Sequence, residues 1–356
     1  MKKMNTASYF YRDKPVFGLD IGFGSMKAMQ IDTSNKPVIV GYGVGAFDPA
    51  AIKDGVIVDH ESLAKSAIDL FKNKVVGDIS TKRVAFTIPA SRTFSRVIKL
   101  PNLPPKELAE AVRTEAEQYI PVPIDELYMD YDIIGKTDKE TELFAVAVPK
   151  KIIDSYTMLA RLTGLEAVAM ESTIGAAARL FLKTNAHDIP TVLIDFGSIT
   201  TDITIFDKTL IVTGTVPGGG DVFSDRIAAA LGVTKREADV IKIKYGLDLS
   251  KKQREITAAL KPFLDQLLKE INKMIRYYEE RYGSERKLAQ VVTMGGGANM
   301  PGLNEYLTNQ LRLPVQTSDP WQHIGHTKLD LPPSNERSMY VTVSGVALIN
   351  SGEIFA

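Results

Sequence analysis

The chain repeats one short pattern, and this internal duplication constrains its fold more than any other feature. In the first copy an apolar run ends at Asp20, and a glycine-containing turn leads into an alternating strand that ends at Asp32. In the second copy an apolar run ends at Asp195, and a similar turn leads into an alternating strand that ends at Asp207. The separation between Asp20 and Asp32 is the same as that between Asp195 and Asp207. A repeat of this size predicts two like domains that face each other.

Each copy continues into a third predicted strand, Pro37–Val44 in the first and Leu210–Thr215 in the second. Helical patterns with start or stop signals fill the intervals, and we predict helices at residues 105–119, 221–232, 234–246 and 250–282. Asp221 is the expected N-cap of the second helix, and Thr234 with Glu237 predicts a capping box in the third. The fourth helix has an apolar stripe that we interpret as core packing: Ile256, Leu260, Phe263, Leu267, Ile271, Met274 and Tyr278.

Composition and length exclude several classes of protein. The 356 residues suit two domains of ordinary size. Lysine plus arginine equals aspartate plus glutamate at 43 each, so no overall field favours nucleic acid or an anionic membrane. The chain has no cysteine, which excludes disulfides and thiolate chemistry. It has no apolar run of membrane-spanning length and no signal peptide, so we expect a soluble protein. For Met1–Pro15 we expect a disordered tail, with an aromatic docking segment as the alternative.

The first turn has the residue types of a phosphate-binding loop. Gly22 and Gly24 let the backbone turn tightly and point its N–H groups at one spot, which suits a phosphate. Ser25 adds a hydroxyl donor, and Lys27 adds a positive charge. Because Asp20 is too close to such an anion to face it bare, we expect a hydrated Mg²⁺ between them. A single turn of this kind is also typical of an ordinary β-hairpin.

The second copy supplies the mirror image of this loop after Asp195, which we likewise expect to meet Mg²⁺ through water. Its turn residues are Gly197, Ser198, Thr200 and Thr201. Two more glycine clusters favour a nucleotide site: Gly218, Gly219 and Gly220 before a helix, and Gly295, Gly296 and Gly297 after an apolar strand. A helix N-terminus attracts anions, and residues without side chains let an adenine ring lie against the backbone. Two such loops closing on one triphosphate would lock the domains together, although each cluster taken singly is compatible with a tight turn.

The histidines do not predict a metal site. His323 and His326 are close in sequence, but they have no third ligand nearby. His60 and His187 stand alone in polar stretches. The chain also has no nucleophile-elbow signature.

Three segments resemble the nucleotide-binding motifs of the actin superfamily, in the same order. D-I-G-F-G-S-M-K resembles the first phosphate loop, D-F-G-S-I-T-T-D the second, and V-T-M-G-G-G-A-N-M-P-G-L the adenosine motif. Within that superfamily, residues 86–134 resemble the PilM family of type IV pilus assembly proteins, through F-T-I-P-A-S-R-T-F-S-R-V-I-K-L-P, K-E-L-A-E-A-V-R-T-E-A-E-Q-Y-I-P-V-P-I-D-E and M-D-Y-D-I-I. A weaker similarity covers most of the chain. The nucleotide motifs also resemble those of the cell-division protein FtsA.

The resemblance implies an α/β protein with a duplicated actin-like (ribonuclease H-like) fold. Two lobes would surround a nucleotide cleft, and an α+β subdomain would be inserted in the first lobe. The implied subdomains are residues 1–90, completed by 166–188 and 336–356; the insertion 91–165; residues 189–225, completed by 291–335; and a helical subdomain 226–290.

The resemblance also implies roles for single residues. The segment E-A-D-V-I-K-I-K-Y-G is similar to the stretch that holds the ribose hydroxyls, which puts Asp239 where a glutamate is usual and Lys242 one turn later. A water would bridge this shorter carboxylate to the ribose. Glu171 resembles the glutamate that orients the attacking water in heat-shock chaperones, with a capped surface helix as the alternative role. ATP and Mg²⁺ are the implied cofactors.

The PilM resemblance implies a cytoplasmic ATP-binding adaptor of the type IV pilus inner-membrane platform, held at the membrane through its partners. Its insertion would receive the N-terminal cytoplasmic peptide of a PilN-type membrane protein. We expect peptide contacts at Arg96, Gln118 and Tyr119, although ordinary subdomain packing explains these residues equally well. Other platform proteins, the assembly motor and a second copy of the chain are further implied partners. Nucleic acid and direct membrane insertion are not expected.

Two other functions stay open from the sequence. A small-molecule kinase shares the fold but needs a second pocket with a base near the γ-phosphate, and nothing outside the phosphate loops suggests one. An FtsA-like filament is the other, although the C-terminal amphipathic helix of that family has no counterpart after Gly352. We expect ATP-Mg to act as a clamp. We expect hydrolysis to be slow if present, because Glu171 is the only candidate for orienting water.

Overall fold

The computed structural model describes residues 14–184, 189–283 and 286–354. His187 and residues 1–13, which hold most of the predicted tail with its alternative docking segment, lie outside these ranges. The chain forms two compact units. Unit 1 comprises Met1–Phe181, Ile324–Asp330 and Thr342–Ala356, and unit 2 comprises Leu182–His323 and Leu331–Val341.

Strands and helices alternate along the described residues. The strands are β1 Phe17–Ile21, β2 Ser25–Asp32, β3 Val38–Ala46, β4 Ile52–Lys53, β5 Val56–Ile57, β6 Val75–Gly77, β7 Arg83–Ile88, β8 Phe94–Pro101, β9 Leu127–Lys136, β10 Glu140–Pro149, β11 Glu166–Ser172, β12 Thr191–Phe196, β13 Thr200–Asp207, β14 Thr209–Pro217, β15 Gln290–Met294, β16 Val315–Thr317 and β17 Gly325–His326. The α-helices are α1 His60–Asp69, α2 Pro105–Glu117, α3 Lys150–Thr163, α4 Thr173–Thr184, α5 Gly220–Leu231, α6 Lys235–Lys244, α7 Gln253–Tyr282, α8 Leu303–Leu311, α9 Pro320–His323, α10 Val341–Ala347 and α11 Ser351–Ile354.

The main sheet of unit 1 has the strand order β11-β7-β1-β2-β3-β17, with β6 also paired to β3. β1, β2 and β3 form an antiparallel meander, whereas β7 and β11 run parallel to β1. Parallel strands bring their carboxyl ends to one edge of a sheet. Thr87 near the end of β7 lies in register with Glu171 on β11. The hydroxyl of Thr87 donates to Asp20 on β1, with Oγ1 and Oδ1 2.6 Å apart.

β1 is buried throughout and mostly apolar, because both of its faces are covered. On one face Phe17, Leu19 and Ile21 share a core with α1 and α3. On the other face Gly18 leaves room for α10, since a Cβ on this residue would lie 2.6 Å from Cγ1 of Val346. A strand covered on both faces needs a continuous apolar run rather than an alternating one.

A second sheet of unit 1 is antiparallel, with the strand order β8-β10-β9. Burial alternates along β10, which turns Leu143 and Ala145 toward Leu108 and Val112 of α2. These elements make up most of the predicted insertion at 91–165. α3 instead packs its buried face into the core that contains β1. The boundaries of the four subdomains stay a prediction.

The sheet of unit 2 has the strand order β14-β13-β12-β15-β16. β12, β13 and β14 form an antiparallel meander, and β15 runs parallel to β12. This is the arrangement of β1, β2, β3 and β7 in unit 1. The duplicated α/β architecture predicted from the sequence is therefore confirmed.

The helix predictions for unit 2 are largely confirmed. α7 runs continuously through Pro262, and every residue of its predicted apolar stripe is buried. The capping box between Thr234 and Glu237 is present at the start of α6. Gly232 ends α5 with a left-handed backbone, φ 65°. None of the described helices is both long and apolar enough to span a membrane.

The predicted N-cap of α5 is wrong. The helix begins at Gly220 with Gly219 as N-cap, so Asp221 lies inside the first turn. Its carboxylate accepts a hydrogen bond from Lys235 Nζ at 2.7 Å. The earlier start follows from a long-range contact, because the N–H of Gly220 donates to the carbonyl of Gly197.

Candidate functional site

The second glycine turn of the duplication joins β12 to β13 in unit 2. Asp195 lies near the end of β12, and the chain reverses directly after it. The second glycine cluster, Gly218–Gly220, is hydrogen-bonded to this turn through its backbone. The N–H of Gly218 donates to the carbonyl of Ile199, and that of Gly220 to the carbonyl of Gly197, each at 2.8 Å. Two segments that the sequence assigns to phosphate binding are thus held together.

Two glycines of unit 2 lie where a side chain would not fit. A Cβ on Gly219 would lie 2.3 Å from the carbonyl oxygen of Gly197. Gly295 has a positive φ of 83°, and its Cβ would lie 2.3 Å from Oδ1 of Asp195. Gly296 differs, because nothing lies within 4 Å of its Cβ position and the residue is exposed. Bare backbone is therefore open to solvent one residue from the glycine that contacts Asp195.

The third glycine cluster, Gly295–Gly297, is held by hydrogen bonds to a residue distant in sequence. Ser338 Oγ donates to the carbonyl of Gly295 at 2.8 Å, and the N–H of Gly295 donates to the carbonyl of Ser338 at 3.1 Å. Asn299 Nδ2 donates to Ser338 Oγ at 2.6 Å. Cα of Gly297 lies 3.7 Å from the Cβ position of Gly220, which brings the second and third clusters together. No local sequence pattern predicts Ser338 or Asn299 at this site.

Lys242 on α6 connects three parts of unit 2. Its Nζ donates to the carbonyl of Gly220 at 2.7 Å, to Ser224 Oγ at 2.6 Å and to Asp239 Oδ1 at 3.0 Å. Ser224 also donates to Asp239. Burial opposes the charge on Asp239, but the hydrogen bonds from Ser224 and Lys242 hold the pKa of this carboxyl below its ordinary value. Both residues predicted to hold a ribose thus link α6 to α5 and to the second glycine cluster.

Several polar groups predicted to meet a nucleotide are used inside unit 2. The N–H groups of Gly220 and Asp221 donate to the carbonyls of Gly197 and Ser198 in the turn after Asp195, so these two amides are not open to an anion. The hydroxyl of the buried Thr201 donates to the carbonyl of Gly218 in the second glycine cluster at 2.8 Å. Ser198 is exposed and Thr200 is half-buried. These last two hydroxyls are the more accessible donors of the turn.

Asp202 was missed by the sequence analysis, although it lies directly opposite Asp195 on the neighbouring strand. Thr215 Oγ1 donates to its carboxylate. Burial raises the pKa of Asp202, and the hydrogen bond from Thr215 offsets part of this shift. The signal was present in the sequence, because a tight turn between two alternating strands puts this aspartate across from the first one.

The first glycine turn, in unit 1, is a tight hairpin in which the N–H of Gly22 donates to the carbonyl of Ser25 at 2.9 Å. Asp20 and Lys27 lie opposite each other and are both buried, with Nζ 3.4 Å from Oδ2. The charge that the sequence assigns to a phosphate therefore lies beside the acid of its own loop. The carbonyl of Gly24 accepts a hydrogen bond from the backbone at 3.1 Å.

Glu171 lies in β11 of unit 1, so the interpretation as part of a capped surface helix is wrong. The segment pairs in parallel with β7, a long-range contact that its local sequence does not indicate. Burial raises the pKa of Glu171, while Arg179 opposes the shift. Arg179 donates to both carboxylate oxygens, at 2.8 and 3.3 Å, and also binds Glu353 of α11.

The residues predicted to meet a partner peptide lie at the end of α2 and on β8, in unit 1. The guanidinium of Arg96 stacks over the ring of Tyr119, with Cζ 4.8 Å from the ring centroid. Burial raises the pKa of Tyr119, and Arg96 opposes this shift. Gln118 donates to Glu115 at 3.2 Å. The end of α2 and the segment after Tyr119 line a pocket of about 500 Å³. Its lining residues are Glu117, Ile120, Pro121, Val122, Pro123, Ile124 and Asp125.

Comparison with known proteins gives an actin-like fold. FtsA of Pseudomonas aeruginosa is 24% identical, over 88% of this chain and 85% of FtsA. The solved PilM-PilN type IV pilus biogenesis complex has a TM-score of 0.80 at 21% identity and covers 94% of this chain and 98% of the matched chain. MreB5 of Spiroplasma citri bound to AMPPNP has a TM-score of 0.52 at 15% identity and covers 94% of this chain and 95% of that one.

The family described as type IV pilus assembly protein PilM matches residues 18–350. The match spans both copies of the duplication and the segment with the second sheet of unit 1. The segment 86–134, on which the resemblance in sequence rests, also falls within it. This chain therefore belongs to the PilM family of type IV pilus assembly proteins.

Proposed function

We propose that this chain binds ATP and serves as an adaptor of the type IV pilus inner-membrane platform. The observation that carries the nucleotide proposal is the bare backbone beside Asp195. Close packing alone accounts for Gly219 and Gly295, but not for Gly296, which is exposed with open space around its Cβ position. A flat adenine ring can lie against such a backbone. The solved MreB5 structure has a bound nucleotide analogue in a protein of the same fold.

Mg²⁺ fits the carboxylates of unit 2. Asp195 and Asp202 are directly opposed, and carboxylate oxygens are ligands that Mg²⁺ accepts directly or through water. Among the described residues no group of three acidic, histidine or cysteine side chains forms a site for a metal ion. The phosphates and water would therefore supply most of the ligands, as is usual for Mg²⁺ bound with a nucleotide. For the loop Asp20–Lys27 of unit 1 we also propose phosphate binding, through its backbone and Ser25.

Titration calorimetry with ATP and Mg²⁺ tests the nucleotide proposal. Asp195→Asn keeps the shape of the side chain but removes its charge. We expect the affinity of this variant for ATP-Mg to fall about tenfold or more, and each tenfold loss corresponds to ~1.4 kcal/mol of binding free energy. Asp32→Asn is the matched control, because Asp32 ends the strand after the first turn and is exposed. Equal affinity of Asp195→Asn and the wild type would refute the proposal.

We propose that hydrolysis, if any, is slow. Both oxygens of Glu171 are engaged by Arg179, so this carboxylate is poorly placed to orient a water. Phosphate release from ATP measured for the wild type and Glu171→Gln tests this. A fast wild-type rate that Glu171→Gln abolishes would contradict it.

The adaptor proposal is supported by family membership and by the similarity to the solved PilM-PilN complex, in which a PilM protein is assembled with PilN. We propose that this chain binds the N-terminal cytoplasmic peptide of a PilN-type membrane protein and is thereby held at the inner face of the membrane. The pocket that follows Tyr119 offers proline and aliphatic side chains to a short apolar segment. Arg96, Gln118 and Tyr119 are the residues that we expect to contact the peptide.

Fluorescence anisotropy with a labelled PilN-type peptide, with and without ATP-Mg, tests the adaptor. We expect Tyr119→Ala to weaken binding about tenfold, the effect of removing an aromatic anchor. Tyr128→Ala is the matched control, since Tyr128 lies on β9 with Lys150 over its ring. Absence of peptide binding in both nucleotide states, together with phosphorylation of a metabolite, would favour a kinase instead.

A further inference from the structure

Asn299 lies one turn after the exposed backbone of Gly296, on the same side of a short 3₁₀-helix. This helix comprises Gly296–Asn299 and begins directly after Gly295. A 3₁₀-helix has three residues per turn, so positions three apart eclipse each other. The side chain of Asn299 therefore projects beside the open Cβ position of Gly296. A ring that lies against Gly296 would have this amide at its edge.

The orientation of the Asn299 amide is determined by its contact with Ser338. The hydroxyl of Ser338 has one hydrogen, which it donates to the carbonyl of Gly295 at 2.8 Å, because a carbonyl can only accept. The hydroxyl oxygen must then accept from the amide of Asn299, and it lies 2.6 Å from Nδ2. An amide nitrogen donates whereas an amide oxygen accepts. Nδ2 is therefore the atom that faces Ser338, and Oδ1 is turned away from it.

The amide oxygen of Asn299 is available to a ligand. Among the residues that the structure describes, no hydrogen bond engages Oδ1. The atom is also not sealed inside unit 2, since Asn299 is half-buried and its Oδ1 is accessible to solvent. Asn299 thus presents an acceptor of fixed orientation beside the bare backbone of Gly296.

We propose that Oδ1 of Asn299 accepts a hydrogen bond from the 6-amino group of adenine and thereby selects ATP over nucleotides with a 6-oxo base. At position 6 adenine carries a donor, whereas guanine and hypoxanthine carry an acceptor. Two acceptors that face each other form no hydrogen bond, and a polar group left unpaired on binding lowers affinity. This inference rests on the proposed ATP site, because it names the base that the site at Gly296 takes.

Ser338 is a positioning residue in this arrangement, since it acts on the base only through Asn299. It exchanges hydrogen bonds with Gly295 in both directions and holds Nδ2 of the amide. Without its hydroxyl the amide could turn over and present Nδ2 to the base. Ser338→Ala should therefore reduce the discrimination against a 6-oxo base, a ratio that a merely structural role would not change.

Titration calorimetry of the full-length chain with ATP-Mg and with ITP-Mg tests the inference. The bases of these nucleotides differ in the 6-substituent and in the N1 proton that accompanies it. We expect the wild type to bind ATP about tenfold more tightly than ITP. Asn299→Leu should bring this ratio close to one, by weakening ATP binding and leaving ITP binding unchanged. Asn309→Leu is the matched control, because it makes the same change at an exposed position of α8 in the same unit.

The control should keep the wild-type ratio of affinities, and thermal melts would check that each variant is folded. Equal affinity of the wild type for ATP and ITP would overturn the inference and leave the proposed nucleotide site standing. An equal loss of ATP and ITP affinity in Asn299→Leu would also overturn it, because the side chain would then contribute packing alone. If the wild type binds neither nucleotide, the proposed ATP site itself is wrong, and this inference falls with it. The wild-type ratio remains decisive if Asn299→Leu does not fold.

Discussion

Asp195 on β12 and Asp202 on β13 are directly opposed across an antiparallel pair of strands. The equivalent position in unit 1 pairs Asp20 with Lys27. The two turns therefore share a backbone arrangement but differ in charge. The first pairs its acid with a lysine of the same loop, whereas the second has two aspartates at the paired positions. A bare phosphate would be repelled by two carboxylates, which is why we assign this pair to the cation that accompanies a nucleotide.

Asp202→Asn should make the protein more stable at neutral pH. Because burial raises the pKa of Asp202 in the folded state, its charged form is disfavoured there. The group contributes stability only below the ordinary value of 3.8, and this contribution is lost as the pH rises through the folded pKa. We expect a gain of about 1 kcal/mol in the free energy of unfolding near pH 7.

Urea unfolding at neutral pH and at a pH below 3.8 checks this sign, since the gain should vanish in acid. The same variant should require more Mg²⁺ to bind ATP, which calorimetry at several Mg²⁺ concentrations would measure. A loss of stability at neutral pH would show that the charge of Asp202 is favourable in the fold. Thr215→Val is a useful companion, because it removes the hydrogen bond that partly compensates this carboxylate.

Gly295→Ala should destabilise unit 2 and weaken nucleotide binding. Its φ of 83° disfavours a side chain, and its Cβ would lie 2.3 Å from Oδ1 of Asp195. We expect a loss of about 2 kcal/mol in the free energy of unfolding. Gly296→Ala is the matched control, because nothing lies within 4 Å of its Cβ position. Chemical unfolding of both variants measures the difference, and equal stabilities would contradict the crowding at Gly295.

Lys242→Met should lower stability, since it removes donors to Gly220, Ser224 and Asp239 at once. The loss of a charged donor from partly buried acceptors costs about 2 kcal/mol. Lys244→Met is the control, because its ammonium lies over the ring of Tyr245 and makes no salt bridge among the described residues. Urea unfolding should separate the two. If Lys242→Met is as stable as the control, these three bonds contribute nothing net.

The sequence predicted the duplicated meanders because their signals are local. Period-two alternation and a glycine turn determine a β-hairpin within about a dozen residues, and the spacing of Asp20 and Asp195 in their copies then relates one hairpin to the other. The core stripe of α7 was predicted for the same reason, since its periodicity is contained in one helix.

The contacts that sequence analysis missed are long-range. Ser338 is distant from Gly295 in sequence but donates to its carbonyl, and Thr87 donates to Asp20 from a parallel strand. The capped helix that is the alternative role for Glu171 is wrong, because this residue lies in a strand defined by parallel pairing, which leaves no signature in seven residues. The side chain of Asp221 suits an N-cap, but backbone bonds to a turn distant in sequence determine where the helix starts.

Asp207→Asn should be much more damaging than the same change at its counterpart in the first copy, Asp32. Asp207 is buried, accepts a hydrogen bond from Tyr278 at 2.7 Å and is bound by the guanidinium of Arg286. It thereby ties the end of β13 to the last turns of α7 and to the segment before β15. Removing one charge from a buried ion pair costs about 3 kcal/mol or more.

Asp32 is exposed and, among the contacts described for it, accepts hydrogen bonds only from the neighbouring Ser34, whose N–H donates to it at 2.9 Å. Urea unfolding of Asp32→Asn should match the wild type, while Asp207→Asn should shift strongly to lower denaturant concentration. The reason lies in how the copies diverged, because only the second has a long helix whose tyrosine reaches the acid at the end of its hairpin. Equal effects of the two substitutions would mean that the ion pair with Arg286 gives no net stability and that the second copy needs its buried acid no more than the first.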